Sequence, residues 1–123
     1  MFGRDGRGLA NAARGQGAVS MRTIKMGRDF SPCPGGRSRA DGPWCAEAFR
    51  EDTLGPALAA EDVVVLHLDC AEGYGSSFLS EAFGGLVRSG AFTSEQLRRK
   101  LRLESRDEVL MREIWSYIDQ AHA

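Results

Sequence analysis

No apolar run in this chain approaches the roughly 18 residues that a transmembrane helix needs, so the sequence offers no membrane span. Charge of one sign is missing as well. The 16 Lys and Arg stand against 17 Asp and Glu, a formal net charge of -1, which removes the uniform basic field expected of sequence-independent nucleic-acid binding. Cysteine is scarce: Cys33, Cys45 and Cys70 form no C-x-x-C pair, and their odd number implies reduced thiols and a cytoplasmic chain. His67 and Cys70 have a spacing that zinc pairs use. A structural site needs four ligands, however, and no second close pair exists, so neither a metal nor another cofactor is expected.

Glycine is what the chain has in excess, 15 in 123 residues against a typical share of about 7%. The charged fraction of 27% and the hydrophobic fraction of 42% otherwise match an average globular domain and exclude collagen-like, mucin-like and fully disordered chains. The length fits one domain. Five of the glycines fall in residues 1–20 with Arg4, Arg7 and Arg14, beside a single acid, Asp5, and a single large apolar residue, Phe2. Such a segment buries too little surface to offset the entropy of ordering it, and 1–20 reads as a disordered Gly/Arg-rich arm. It is not a secretory signal, because no run of seven apolar residues follows the arginines. Met21 opens the first patterned segment and is an alternative start. The folded domain is then 21–123, mildly acidic with 13 basic and 16 acidic side chains.

From there the periodicities alternate. Residues 22–26 read as a short strand, and 27–43, dense in Gly, Pro, Asp and Ser, as a loop. Pro43 stands at an expected first helical position, with Glu47 in the first turn. The stripe begun by Cys45, Ala48 and Phe49 is not continued by Leu54 and Leu58, and Gly55-Pro56 supplies a kink or break that resets the phase. Residues 62–69, with three consecutive valines, read as a buried strand. Phe78, Leu79, Ala82, Phe83 and Leu86 recur on one face of a helix over 76–88, which Gly90 stops. Thr93 and Gln96 form a capping box for a helix to about Lys100, residues 101–105 alternate like a strand, and 106–121 carry a third apolar stripe. This alternation defines a small α/β layer fold with a short, mostly parallel sheet. Trp44 and Trp115 are expected in the core.

Three segments could carry chemistry. In the first, strand-end Asp69 is followed by a loop with Gly73 and Gly75 and by a helix start with Ser76 and Ser77. That geometry offers free N–H groups and the positive end of a helix dipole to an anion, while one of the serines could simply cap the helix. The second is the loop with Gly35, Gly36, Arg37, Arg39 and Asp41, where glycines admit a ligand and arginines bind phosphate or carboxylate, or else pair with nearby acids. The third is the side of the 76–88 helix opposite the apolar stripe, where Glu81, Gly84, Gly85 and Arg88 are expected to be exposed and the glycines to admit another backbone. A dinucleotide fingerprint fails because Phe78 stands where its third glycine belongs, and no Gly-x-Ser-x-Gly elbow occurs.

The run F-S-x-x-P-G-G-R, then D-G-P, then Phe49-Arg50, then G-Y-G-S-S-F-L-x-E-A-F-G-G-L-V-R from Gly73 to Arg88 resembles the bacterial and archaeal STAS-like family catalogued as a domain of unknown function. The resemblance extends over about Arg22 to Ala121. Where the family pattern commonly has Ser-Gly after D-G-P and one bulky residue, this chain has Cys45-Ala46. STAS domains are known best as anti-sigma-factor antagonists, α/β switch modules in which a serine opening a helix is phosphorylated by a partner kinase with a histidine-kinase-type ATPase fold. The resemblance implies that Ser76 is the phosphoacceptor, Ser77 the second serine and Asp69 the strand-end acid. Gly75 and Phe78 replace the Asp and Gly of the antagonists' Asp-Ser-Ser-Gly motif.

The expectation is a non-enzymatic regulatory module. A protein partner of the histidine-kinase ATPase type would dock on the Ser76 helix, including Gly73, Gly75, Glu81, Gly84 and Gly85, and on the loop of Gly35, Gly36, Arg37 and Asp41. The alternative is a small-molecule or nucleotide-phosphate sensor, or an enzyme, that uses the same glycine loops with Arg37, Arg50 or Glu81 as ligands.

Overall fold

The computed structural model describes residues 19–122. The expected arm falls outside it over 1–18, as does Ala123. Ser20, grouped with the arm on composition, is tied to the domain. Its amide donates to Asp62 Oδ2 (3.0 Å), its hydroxyl accepts from the Asp62 amide (2.9 Å), and its carbonyl accepts from Val63 (3.1 Å).

Among the described residues three strands form one parallel sheet in the order β1-β2-β3: Met21–Lys25, Val63–His67 and Leu101–Glu104. Ile24 pairs with Leu66 and Leu66 with Leu103. The valine run lies in the centre, and β2 is buried from Val63 to Leu66, covered on both faces as a parallel strand must be. β1 is an edge strand that buries Ile24 alone. The Asp29 carboxylate accepts its outward Lys25 amide at 2.8 Å.

Among the described residues, four longer helical runs connect and cover the strands, and the segment read as a loop over 27–43 contains a π-helical turn, Met26–Phe30, and a 3-10 turn, Arg39–Asp41. α1 runs over 46–60, α2 over 76–88, α3 over Ser94–Lys100 and α4 over Glu108–Gln120. The capping box forms as read: Gln96 N donates to Thr93 Oγ1 (3.1 Å), and Thr93 N to Gln96 Oε1 (2.9 Å). Gly90 ends α2's last turn with φ +81°, a conformation that favours glycine. Asp107 caps α4 by accepting from Leu110 N at 3.0 Å.

Two sequence expectations need correction in α1. The helix starts at Ala46 and not at Pro43, because the chain turns through Gly42 at φ +133° and Cys45 takes the cap position, its Sγ accepting from Ala48 N at 3.4 Å. Gly55-Pro56 does not break the helix. A π-helical stretch, Phe49–Leu54, comes first, and Gly55 N–H donates five residues back to the Arg50 carbonyl. The wide turn inserts an extra residue, which rotates Leu54 and Leu58 back onto the core beside Phe49. α2 contains a similar stretch, Ser80–Gly84.

α2 is the axis of the molecule. Every residue from Ala82 to Val87 is buried, with α1 on one side and α4 on the other. Its Phe78, Leu79, Phe83 and Leu86 meet Ile24, Leu66 and Leu68 of the sheet region, Phe49 and Leu54 of α1, and Ile114 and Ile118 of α4. Trp44 is not in this core. It is half exposed and stands edge-on to Phe30 at 5.7 Å, because the 31–45 loop runs over the outside. Trp115 is partly buried under the guanidinium of Arg98, 4.2 Å from its ring.

Gly27 seats the loop after β2. Its amide donates to Cys70 Sγ at 2.9 Å, and a Cβ there would run into the Cys70 carbonyl oxygen. Gly27→Ala should therefore lower the free energy of unfolding by about 1–3 kcal/mol, the usual cost of overpacking. Urea unfolding followed by circular dichroism reads this directly, and an unchanged midpoint would mean that the Cys70 loop yields freely.

Candidate functional site

The two glycine loops that lie some forty residues apart in sequence meet in space. Glu72 N donates to the Pro32 carbonyl at 2.8 Å, joining the loop after β2 to the loop after β1. Aromatic rings extend the junction. Phe30 lies 6.4 Å from Phe78 in the first turn of α2, and Tyr74 lies 6.1 Å from Phe78 on its other side. Tyr74 is held by its hydroxyl, which donates to the Leu68 carbonyl at 2.7 Å. Burial pushes its pKa up, so it stays a donor.

The ends of the two neighbouring helices differ. At α1 the 35–37 loop closes the helix start: Ala46 N donates to the Gly36 carbonyl (3.0 Å) and Glu47 N to that of Arg37 (3.1 Å). The loop is held in turn by Asp41, which accepts from the amides of Arg37 (2.9 Å) and Ser38 (3.0 Å), bonds that keep its carboxyl below the usual carboxylate range. Gly36, at φ +91°, lies against the Asp41 side chain. The expected anion cradle therefore faces inward, with carbonyls of Gly36 and Arg37 turned to the helix and Asp41 already occupying loop amides. At α2, by contrast, the cap residue is Gly75 in ordinary extended geometry, and no side chain caps the helix. Neither Ser76 nor Ser77 is the cap. Both sit inside the first turn with their side chains exposed. A Cβ on Gly73, Gly75 or Gly35 would touch nothing within 4 Å.

The Ser76 hydroxyl lies beside Tyr117 of α4, whose own hydroxyl donates to Glu113 Oε2 at 3.1 Å. Desolvation and the Glu113 carboxylate raise the Tyr117 pKa, and the Ser76 hydroxyl works against them. Nothing in the local sequence around Ser76 points to this pair, because α4 brings it from some forty residues downstream. Asp69 does not join Ser76. Its oxygens accept from Ser105 Oγ (2.6 Å) and Arg106 N (2.8 Å), which ties the end of β2 to the turn before α4.

Of the two readings open for the loop arginines, Arg39 takes the pairing with nearby acids, while the third segment departs from expectation. Arg39 pairs with Glu51 (2.9 Å) and Asp52 (3.1 Å), and Arg50 with Glu81 (3.1 Å) and, more distantly, Glu51. Arg88 stands 3.8 Å from Glu81. Arg37 is exposed, with no ion pair among the described residues. Gly84 and Gly85 are buried, not exposed. A Cβ on Gly85 would lie 2.7 Å from Arg50 Nε, and one on Gly84 2.7 Å from Arg88 Nη1 and 3.4 Å from the Tyr117 carbonyl. The close neighbours that these glycines admit are the protein's own side chains and α4. Among the described residues no three His, Cys, Asp or Glu converge as metal ligands. His67 Nε2 faces Glu104 at 3.2 Å, while Cys70 faces Gly27. No described helix is long and apolar enough to cross a membrane.

A family model described as a STAS-like domain of unknown function (DUF4325) matches residues 46–109, from the first turn of α1 into that of α4, and the chain belongs to this family. The matched stretch contains the Ser76 turn, Arg50 and Glu81, and stops short of the 31–45 loop and of Glu113 and Tyr117. No curated protein and no solved structure matches the chain.

The hydrogen bonds to Asp69, that from Ser105 foremost, hold its carboxyl below the usual carboxylate range. A group of this kind stabilises the fold fully above its unfolded pKa of about 3.9, and that contribution fades as pH falls through the lower, folded value. Asp69→Asn should accordingly lower stability at neutral pH and flatten its decline below about pH 4. Urea midpoints across the acid range, compared with the parent chain, would show parallel curves if Asp69 carried none of that dependence.

Proposed function

We propose that this STAS-like chain is a regulatory interaction module whose docking face is the open first turn of α2 and the loop before it, switched by phosphorylation of Ser76. The observation that carries the reading is the bare start of α2: Ser76 and Ser77 are exposed in its first turn, the cap is a glycine, and Gly73 and Gly75 leave open space around it. The first amides of a helix have no partners within it, so they present N–H groups and the positive end of the dipole to an incoming anion. A docked partner can approach the backbone closely where glycine removes side chains.

A phosphate on Ser76 adds about -1.5 to -2 charges at neutral pH. The helix start tolerates this charge, whereas Glu113, reached through Tyr117, repels it. The phosphate is thereby turned from α4 toward the partner's side of the face. A local electrostatic change becomes a change in binding. The partner that fits the STAS likeness is a kinase with the histidine-kinase ATPase fold, and the chain's own task is binding and not catalysis.

The test is to incubate the full chain with ATP and a kinase of that fold encoded beside it, and to map phosphate by mass spectrometry. Phosphate is expected on Ser76 and absent in Ser76→Ala. Ser76→Asp should change affinity for that kinase, or for the partner it regulates, by about tenfold, or 1.4 kcal/mol. Phosphate elsewhere, or unchanged binding in both variants, would overturn the switch.

A further inference from the structure

At the other end of α2, about 20 Å from Ser76 by helical rise, α1 and α2 diverge and leave a groove of about 470 Å3. Its walls are largely apolar, formed by Pro56 and Ala59 of α1, Leu86 of α2, and Ala91 and Phe92 in the turn beyond. The volume lies within the range of small-molecule sites, which combine apolar walls with a few placed polar groups.

Three polar side chains reach the groove, and two of them are committed. Ser89 Oγ donates to the Leu86 carbonyl (3.3 Å) and accepts from Ala91 N (3.4 Å), while Glu51 accepts from Arg39. Arg50 is the third. Its Nη2 serves Glu81, its Nε is sealed against Gly85 without an acceptor, and its Nη1, which is not sealed in, has no acceptor among the described residues. Guanidinium donors shielded from bulk water are normally satisfied, and Nη1 is the one that a molecule in the groove can meet. The local backbone is shaped around Arg50. The π-helical turn sets Arg50 on the α2 side of α1, Gly85 makes room for its side chain, and the Gly55 amide takes the Arg50 carbonyl. π-helical turns are frequent at functional sites.

The charge around Arg50 decides the ligand's character. Arg39, Arg50 and Arg88 face Glu51, Asp52 and Glu81, so three guanidiniums balance three carboxylates, and neither an anion nor a cation is drawn in by net field. We propose that the groove binds an uncharged, mainly aliphatic small molecule with a carbonyl-type acceptor at one end, the acceptor meeting Arg50 Nη1 and the alkyl part lying on Ala59, Leu86, Ala91 and Phe92. This site is separate from the Ser76 face and does not depend on it.

Hexanamide titrated into the full chain and followed by amide NMR is the direct probe, with hexylammonium, which has donors but no acceptor, as its counterpart. Hexanamide should give saturable shifts at Ala59, Ala91 and Phe92. Hexylammonium should bind at least about tenfold more weakly. Ala59→Trp, at an exposed position that leaves the core intact, should fill the groove and abolish the hexanamide shifts. Shifts that fail to saturate, or that survive Ala59→Trp, would overturn the site. Equal binding of the two probes would overturn the role of Arg50.

Discussion

The structure depends on bringing a helix against each side of α2, α1 on one and α4 on the other. A helix surrounded by its own protein has to be small where neighbours cross it closely, and here the small residues are Ala82, Gly84 and Gly85. At Gly85 the neighbour is Arg50, whose chain lies where a Cβ would stand. At Gly84 it is α4, through the Tyr117 carbonyl. Two adjacent glycines weaken a helix by about 1 kcal/mol each relative to alanine. Burial of Phe78, Leu79, Phe83 and Leu86, each contributing about 1.5–3 kcal/mol, offsets that loss.

The same crossing fixes the electrostatics. Arg50 can reach Glu81 only because Gly85 lets it pass, and the pair is mostly shielded from water, with side-chain exposures of 14% and 25%. The outer pairs of Arg39 with Glu51 and Asp52 are far more exposed, and pairs of that kind contribute about 0–1 kcal/mol. The shielded pair is therefore the one whose loss would matter, since it would leave a charge without its partner inside the helix crossing. The network engages Arg39, Arg50 Nη2 and Glu81 with one another, whereas Arg37 carries no ion pair among the described residues.

The two glycine loops end in opposite arrangements although they are joined by one backbone hydrogen bond. One folds over the start of α1 and satisfies it, with the Cys45 thiol in the role that a cap hydroxyl usually fills. The other leaves the start of α2 open. The difference lies in which group each loop turns toward its helix: carbonyls at α1, and at α2 a glycine that offers no side chain at all.

Much of this was legible from residue order. The strand and helix order, the parallel sheet, the Thr93 capping box and the core stripe of α2 follow from local periodicity and capping chemistry, which act over a few residues. The phase shift within α1 was also visible, in Leu54 and Leu58, though its cause, a π-helical turn and not a break at Gly55-Pro56, was not. The sequence by itself determined the elements, their order and the exposed serines at a helix start. Only the tertiary structure decided that Gly84 and Gly85 face inward, that Trp44 faces out, that Asp69 holds Ser105 and not Ser76, and that Tyr117 and Glu113 stand beside Ser76. Those outcomes are set by contacts between segments some thirty to forty residues apart, where no local pattern records which face of one helix meets which side chain of another.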